Sequence, residues 1–149
     1  MPKTLRRLIY CSRNAIPGDA VAAERTIQDI VLASRRHNRV AGLTGALMFT
    51  HGCFVQALEG PRDALEDVFE RIQCDERHRD VTVLTFEPVA ERAFSGWDME
   101  YLGDAETAGS QAAAAATLNG AFRQEARSAD SVLALMRGVV AREKVWAGV

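Results

Sequence analysis

Residues 43–60 read LTGALMFTHGCFVQALEG, and this stretch decides the fold. Leu43 to Thr50 is expected as a strand, His51-Gly52 as a tight turn, and Phe54 to Glu59 as the returning strand. Side chains alternate faces along a strand, so Phe54, Gln56 and Leu58 share one face and Cys53, Val55 and Ala57 the other. The segment reads as buried, with one exception. Gln56 places a primary amide between two large hydrophobes on an inward face. Such a group costs about 1–3 kcal/mol if it is buried without a partner. Protein or ligand must therefore sit against it.

Working outward, Leu8 to Ser12 reads as a strand with Leu8, Tyr10 and Ser12 on one face. Pro17-Gly18-Asp19 is a turn, and Asp19 suits a helix N-cap. Ile27, Ile30, Val31 and Ser34 follow the helical spacing i, i+3, i+4, i+7, which continues to Asn38. The helix is expected to end between Asn38 and Gly42. Beyond the hairpin, Gly60-Pro61 breaks the strand, and Pro61 suits the first turn of a helix. Leu65, Val68, Phe69 and Ile72 form the apolar stripe of that helix. Val81 to Phe86 is a fourth strand ended by Pro88, with a short fifth expected near Met99 to Leu102.

The order β-α-β-β-α-β predicts an α+β, ferredoxin-like core: a mixed five-stranded sheet with two helices on one face. In that arrangement strands one and three lie side by side in the centre. Tyr10 and Gln56 then become neighbours on the helix-covered face. Residues 103–111 read as a linker, and Ala112 to Ala116 has high helix propensity. Ser128 or Asp130 suits the cap of a last helix striped by Val132, Met136, Val139 and Val140. The chain thus divides into a unit over 1–102 and a helical extension over 103–149. The extension is expected to cover the bare sheet face or to carry a partner or dimer interface.

A length of 149 residues, 48% hydrophobic and 26% charged, fits one soluble globular domain. A net charge of −2 gives no strong field toward nucleic acid or membrane. Cys11, Cys53 and Cys74 are odd in number and form no CxxC pair, which fits reduced thiols. The N-terminus lacks a signal-peptide core and no stretch matches a membrane span, so a cytoplasmic protein is expected. There is no GxGxxG or GxxxxGK[ST] phosphate cradle, no metal spacing among the histidines, and no Ser-His-Asp or Cys-His signature. The chain is not expected to be an enzyme. An acylphosphatase-like hydrolase is an alternative on the same fold, although the loop near Arg13-Asn14 lacks the glycine-rich context. A small-ligand-binding regulatory module is another.

Several further polar residues point inward. Asn38 ends the apolar stripe of the first helix, where it either faces the core or caps the end. Arg71, Asp75 and His78 stand at i, i+4 and i+7 if the second helix persists that far, with Arg77 adjacent. Taken alone they read as a solvated ion pair. Tyr10, Trp97 and Met99 each suit an ordinary core, and Ser12 a strand end. Together these residues surround one space between two helices and a sheet. That describes a slot for a planar, hydrogen-bonding ligand.

At these residues the chain resembles the BLUF family, flavin-binding blue-light sensors. The matching stretches are Leu8 to Ser12, His37-Asn38, Gly42 to Gly45, Phe54 to Gly60, Arg71 to His78 and Arg92 to Met99, within about residues 5–102. The resemblance implies non-covalent FAD, with FMN and riboflavin as alternatives. It implies Tyr10 as the photoactive electron and proton donor and Gln56 as the switching amide between it and the flavin. Asn38 would bond the ring's pyrimidine edge, and Arg77 and His78 would border the ring. Arg71 and Asp75 would lie near the ring edge and ribityl chain, and His37 nearer the adenine side. Trp97 and Met99 resemble the pair that exchanges places near Gln56, and Ser12 a hydroxyl of the same network. Light would leave the flavin oxidised and Gln56 in a changed hydrogen-bonding state, read by an unidentified signalling protein. A homodimer or higher homo-oligomer is a further partner; nucleic acid and membrane are not. Some members carry Asn-Asn where this chain has His37-Asn38, and no enzymatic output domain is expected after residue 102.

Overall fold

The computed structural model describes residues 4–16, 18–50, 52–96, 99–101, 120–123 and 128–147. In chain order the elements are β1 (Leu5–Asn14), α1 (Ala20–Ala41), β2 (Thr44–Thr50), β3 (Cys53–Pro61), α2 (Arg62–Cys74), β4 (His78–Pro88), β5 (Glu100–Tyr101) and α3 (Ser128–Ala147). The expected linker at 103–111, the alanine run at 112–116, His51 and Trp97 lie outside the described residues.

The sheet order is β4-β1-β3-β2-β5, the ferredoxin-like arrangement with strands one and three in the centre. Its body is four antiparallel strands. In place of a fifth full member of the sheet, the short strand expected near Met99 to Leu102 is two described residues, Glu100 and Tyr101, paired parallel to Ala46 and Leu47 of β2. The preceding carbonyl, of Met99, accepts from Arg35 Nε of α1 at 2.8 Å, so a side chain takes it rather than a strand ladder.

Local chemistry sets the helix ends. Asp19 caps α1 by accepting from the Ala22 N–H at 2.9 Å. Gly42 ends it at φ 76°, and its N–H bonds the Asn38 carbonyl. The C-cap therefore falls to Gly42 and not to the Asn38 side chain. The second helix stops at Cys74, short of the length that would carry Asp75 and His78. Asp75 is extended, and its carboxylate accepts the backbone N–H of Arg77 at 3.0 Å, closing a turn that redirects the chain. His78 accordingly belongs to a strand.

That strand begins three residues earlier than Val81, and two irregularities hide it in the sequence. The β1–β4 register slips between Ile9 and Tyr10 and again between Cys11 and Arg13. Asp80 sits at the second slip with φ 53°. Each bulge resets the alternation on which strand recognition depends. Arg13 spans this place. Its Nε lies 3.2 Å from Asp80 Oδ2, and its guanidinium stands 4.2 Å from the centre of the Phe122 ring.

Two cores follow from the two sheet faces. Leu8, Leu47, Phe54, Leu58 and Met99 pack with Ile27 and Val31 of α1 and Leu65 of α2. On the other face Ile9, Cys11, Ala46, Met48, Val55 and Ala57 pack with Phe94, Ala121, and Val132 and Met136 of α3. Cys11 and Cys53 belong to this second core, and burial pushes the Cys11 thiol up to about 11. Both are free thiols.

One charged cluster ties a loop to the sheet. Glu59 is fully buried and accepts from Arg7 Nε at 2.9 Å and from the N–H groups of Ala93 and Phe94 at 2.8 and 2.9 Å. Arg92 donates to the Glu59 carbonyl, Thr44 Oγ1 and the Gly42 carbonyl. Residues 92–94 are thereby fixed to the ends of β3 and β2.

Candidate functional site

The helix-covered face of β1 and β3 supplies the floor of a cleft. Tyr10 and Gln56 are direct register partners across the two strands. The Tyr10 hydroxyl donates to Gln56 Oε1. The amide nitrogen donates to Met99 Sδ at 3.7 Å. Gln56 thus has a partner at each end, and both ends are committed in one direction. The oxygen faces a phenol, which can donate, and the NH2 faces a thioether, which can only accept.

The walls come from the helices. Ile30, Ala33, Ser34, His37 and Asn38 of α1 and Val68, Arg71 and Ile72 of α2 line the cleft, with Leu47, Phe54, Asp75, Arg77 and His78 closing it. The cleft encloses about 210 Å³ and opens between the two helices. Tyr10, His37, Asn38, Gln56, Arg71, Asp75, Arg77 and His78 all line this one space. Met99 meets it through Gln56. Ser12 lies on the same strand face but bonds elsewhere: its Oγ is 2.7 Å from His78 Nδ1. Asp29 also lines the cleft, and Arg35 anchors Met99. Neither stands out in the sequence, since each looks like an ordinary exposed helix charge. Phe54 and Leu47 were legible only as core.

Charge and burial set the state of each group. Burial lifts the Tyr10 phenol far above its ordinary range, and the nearby Asp75 carboxylate adds to this, so the proton stays on Tyr10. Arg77 Nη2 is 2.6 Å from Asp75 Oδ2, and this bond holds the Asp75 carboxyl below the usual range. Burial holds the His78 imidazole below its ordinary value; Asp75 opposes the shift and Arg77 adds to it. The ring packs 4.7 Å from the centre of Phe54 and stands edge-on to Tyr10 at 6.3 Å. At the side, Arg71 Nη1 is 3.1 Å from His37 Nδ1. An arginine only donates, so this histidine nitrogen accepts. Among the described residues no three His, Cys, Asp or Glu side chains are grouped to hold a metal.

The cleft has apolar walls with polar groups gathered at its floor and a basic fringe. A planar ring with a hydrogen-bonding edge and an anionic tail matches that distribution. A family model described as "BLUF: Sensors of blue-light using FAD" matches residues 5–100. The solved structure "BlrB - a BLUF protein, dark state structure" superimposes with a TM-score of 0.72 at 31% identity, covering 94% of this chain and 98% of that one. The Klebsiella pneumoniae protein BlrP1, solved with FMN and cyclic diGMP, matches 68% of this chain and 26% of its own at 36% identity and a TM-score of 0.60. The photoactivated adenylate cyclase subunit beta of Euglena gracilis is 36% identical over 97 residues, 64% of this chain. The chain spans about a tenth of the length of such curated relatives.

The protein is therefore an α+β flavin-binding sensor domain. It belongs to the BLUF family, senses blue light and uses FAD. The matched part of the cyclase subunits is this sensor region and covers 11% of the Euglena gracilis chain. The comparisons lend nothing to a hydrolase on the same fold.

Proposed function

We propose that the chain is a short light-sensing unit in which Tyr10, Gln56 and Met99 form the responsive element, with a separate protein as its output. The observation that carries this is the unbroken bond sequence from the Tyr10 hydroxyl through the Gln56 amide to Met99 at the cleft floor. Asn38 would hydrogen-bond the ring's pyrimidine edge, Arg77 and His78 would border the ring, Arg71 and Asp75 would lie near the ring edge and ribityl chain, and His37 nearer the adenine side; all of them line the cleft. Apolar Ile30, Val68 and Ile72 hold the ring's faces and exclude water.

Bound FAD supplies a chromophore that blue light turns into a strong oxidant. Tyr10 would be the residue that yields an electron to that oxidant, and its phenolic proton would leave along the bond to Gln56 Oε1. Both return to Tyr10 afterwards. Gln56 is left in the alternative hydrogen-bonding state, since an amide carries donor and acceptor at one end and rotation or tautomerisation exchanges them. Met99 and Trp97 are proposed to answer that change, with Ser12 acting through His78. Residues 1–102 form the sensory unit and 103–149 the extension, a division supported by the family match and by the packing of Val132 and Met136 on the far sheet face. No helix among the described residues is long and apolar enough to cross a membrane, and we place the protein in the cytoplasm, without catalysis of its own.

Gln56→Leu tests the assignment. The wild-type protein should show a red-shifted flavin absorption after blue light, and the variant should bind FAD without the shift. A normal shift in the variant would remove Gln56 from the switch.

A further inference from the structure

The two helices over the cleft carry opposite charge on their outer faces. On α1, Val21, Arg25, Leu32, Arg36 and Arg39 fall on one exposed stripe, opposite buried Ile27 and Val31, with exposed Asp29 at its cleft-side margin and exposed Glu24 at the other. On α2, Asp63, Glu66, Asp67 and Glu70 form an exposed stripe of one sign, opposite buried Leu65. Arg62 offsets it only at Glu66, at 2.7 Å. Arg71 is turned toward the cleft and His37. Like charges three and four residues apart weaken a helix on its own. The chain as a whole is nearly neutral at −2, so this is segregation and not overall charge.

The basic stripe is also apolar. Among the described residues the exposed large hydrophobic side chains are Val21, Leu32, Val40 and Val83, and the first three lie on α1, with Val40 90% exposed. The α2 surface answers with a shallow groove lined by Asp67, Glu70, Arg71 and Cys74. Guanidinium groups pair well with carboxylates, and apolar side chains set between them supply the area that charge alone does not.

We propose that copies of this chain associate through α1 of one copy on α2 of another. Made twice about a twofold axis running along the helices, the contact closes a dimer with both stripes matched. A twofold axis across the helices would set α1 on α1 and α2 on α2, like charge against like. The pattern therefore selects the arrangement as well as the occupant.

Charge reversal in FAD-loaded protein kept in the dark gives the test. Sedimentation of the wild type across a dilution series should reveal self-association that fades in about 1 M salt, where the screening length is about 3 Å. Arg25→Glu/Arg36→Glu should weaken association at least about tenfold, as should Asp67→Lys/Glu70→Lys. Each double variant shifts one face toward the sign of the other, so that its own α1 and α2 no longer oppose each other in charge. Mixed together, they present complementary pairs again, and association should return in the mixture alone. All four sites are exposed, and an unchanged thermal midpoint and flavin spectrum check the fold of each variant. A wild type that stays monomeric throughout, variants that associate as well as wild type, or a mixture that stays dissociated would each overturn the proposal.

Discussion

Gln56 owes its orientation to two neighbours of unequal chemistry. Tyr10 can donate to the amide oxygen, whereas Met99 sulfur can only accept from the amide nitrogen. Rotating the amide in place would set its oxygen against the sulfur, with no proton between them, so the protein alone favours one setting. His78 adds a pH dependence at the same scale. Its folded value lies below 6.5 because of burial, and the unfolded chain takes up the proton first as pH falls. Its contribution is present above about pH 6.5 and lost as pH falls through and below that value. Urea midpoints of the wild type should therefore drop between about pH 7 and about pH 5.5 more than those of His78→Gln. Parallel curves would contradict this. Tyr10, Gln56 and Asn38 were legible because strand and helix phase forces each inward. Asp29 and Arg35 were not, because a polar side chain on an outer helix turn carries no phase signal of its own.

Hairpin and helix interiors ask opposite things of glycine. A Cβ on Gly45 of β2 would lie 2.2 Å from the Ala57 carbonyl oxygen and 3.0 Å from Leu58 Cδ2. Gly45→Ala should thus cost about 1–3 kcal/mol by forcing β2 from β3. It should also loosen FAD, since this hairpin positions Leu47 and Gln56. Gly138 of α3 has nothing within 4 Å of a built Cβ, and Gly138→Ala should stabilise by about 0.5–1 kcal/mol. Urea unfolding of the two variants should move in opposite directions; a shared direction would disprove the reading of one of them. The helices were readable from stripes and caps, as Asp19 and Gly42 bear out. Strand β4 was readable only in its middle, because the bulge at Asp80 interrupts its alternation before Val81. The helix phase proposed for Asp75 and His78 failed for a related reason: the turn closed by Asp75 itself ends the helix.

The molecule as a whole is one sheet with a core on each side. Removing residues after Tyr101 would uncover Ile9, Met48 and Val55 on the face that α3 covers. Each such side chain is worth about 1.5–3 kcal/mol when fully buried. The shortened chain should melt at lower temperature and bind a hydrophobic dye in its native baseline. Equal melting and no dye binding would mean that α3 contributes little to the fold. The extension's cover of the second face was one of two roles open to it from the sequence, because an apolar stripe fits a sheet and a partner equally well. Strand β1 joins the two cores through its alternation. Tyr10 lines the cleft and Ser12, on the same face, bonds His78, while Ile9, Cys11 and Arg13 look the other way, Arg13 reaching Asp80 and Phe122. Cleft and cover share a wall one backbone thick. Cys11 and Arg13 are the chain neighbours of the residues that face the cleft, so any shift of β1 at Tyr10 would have to be absorbed beneath α3 as well.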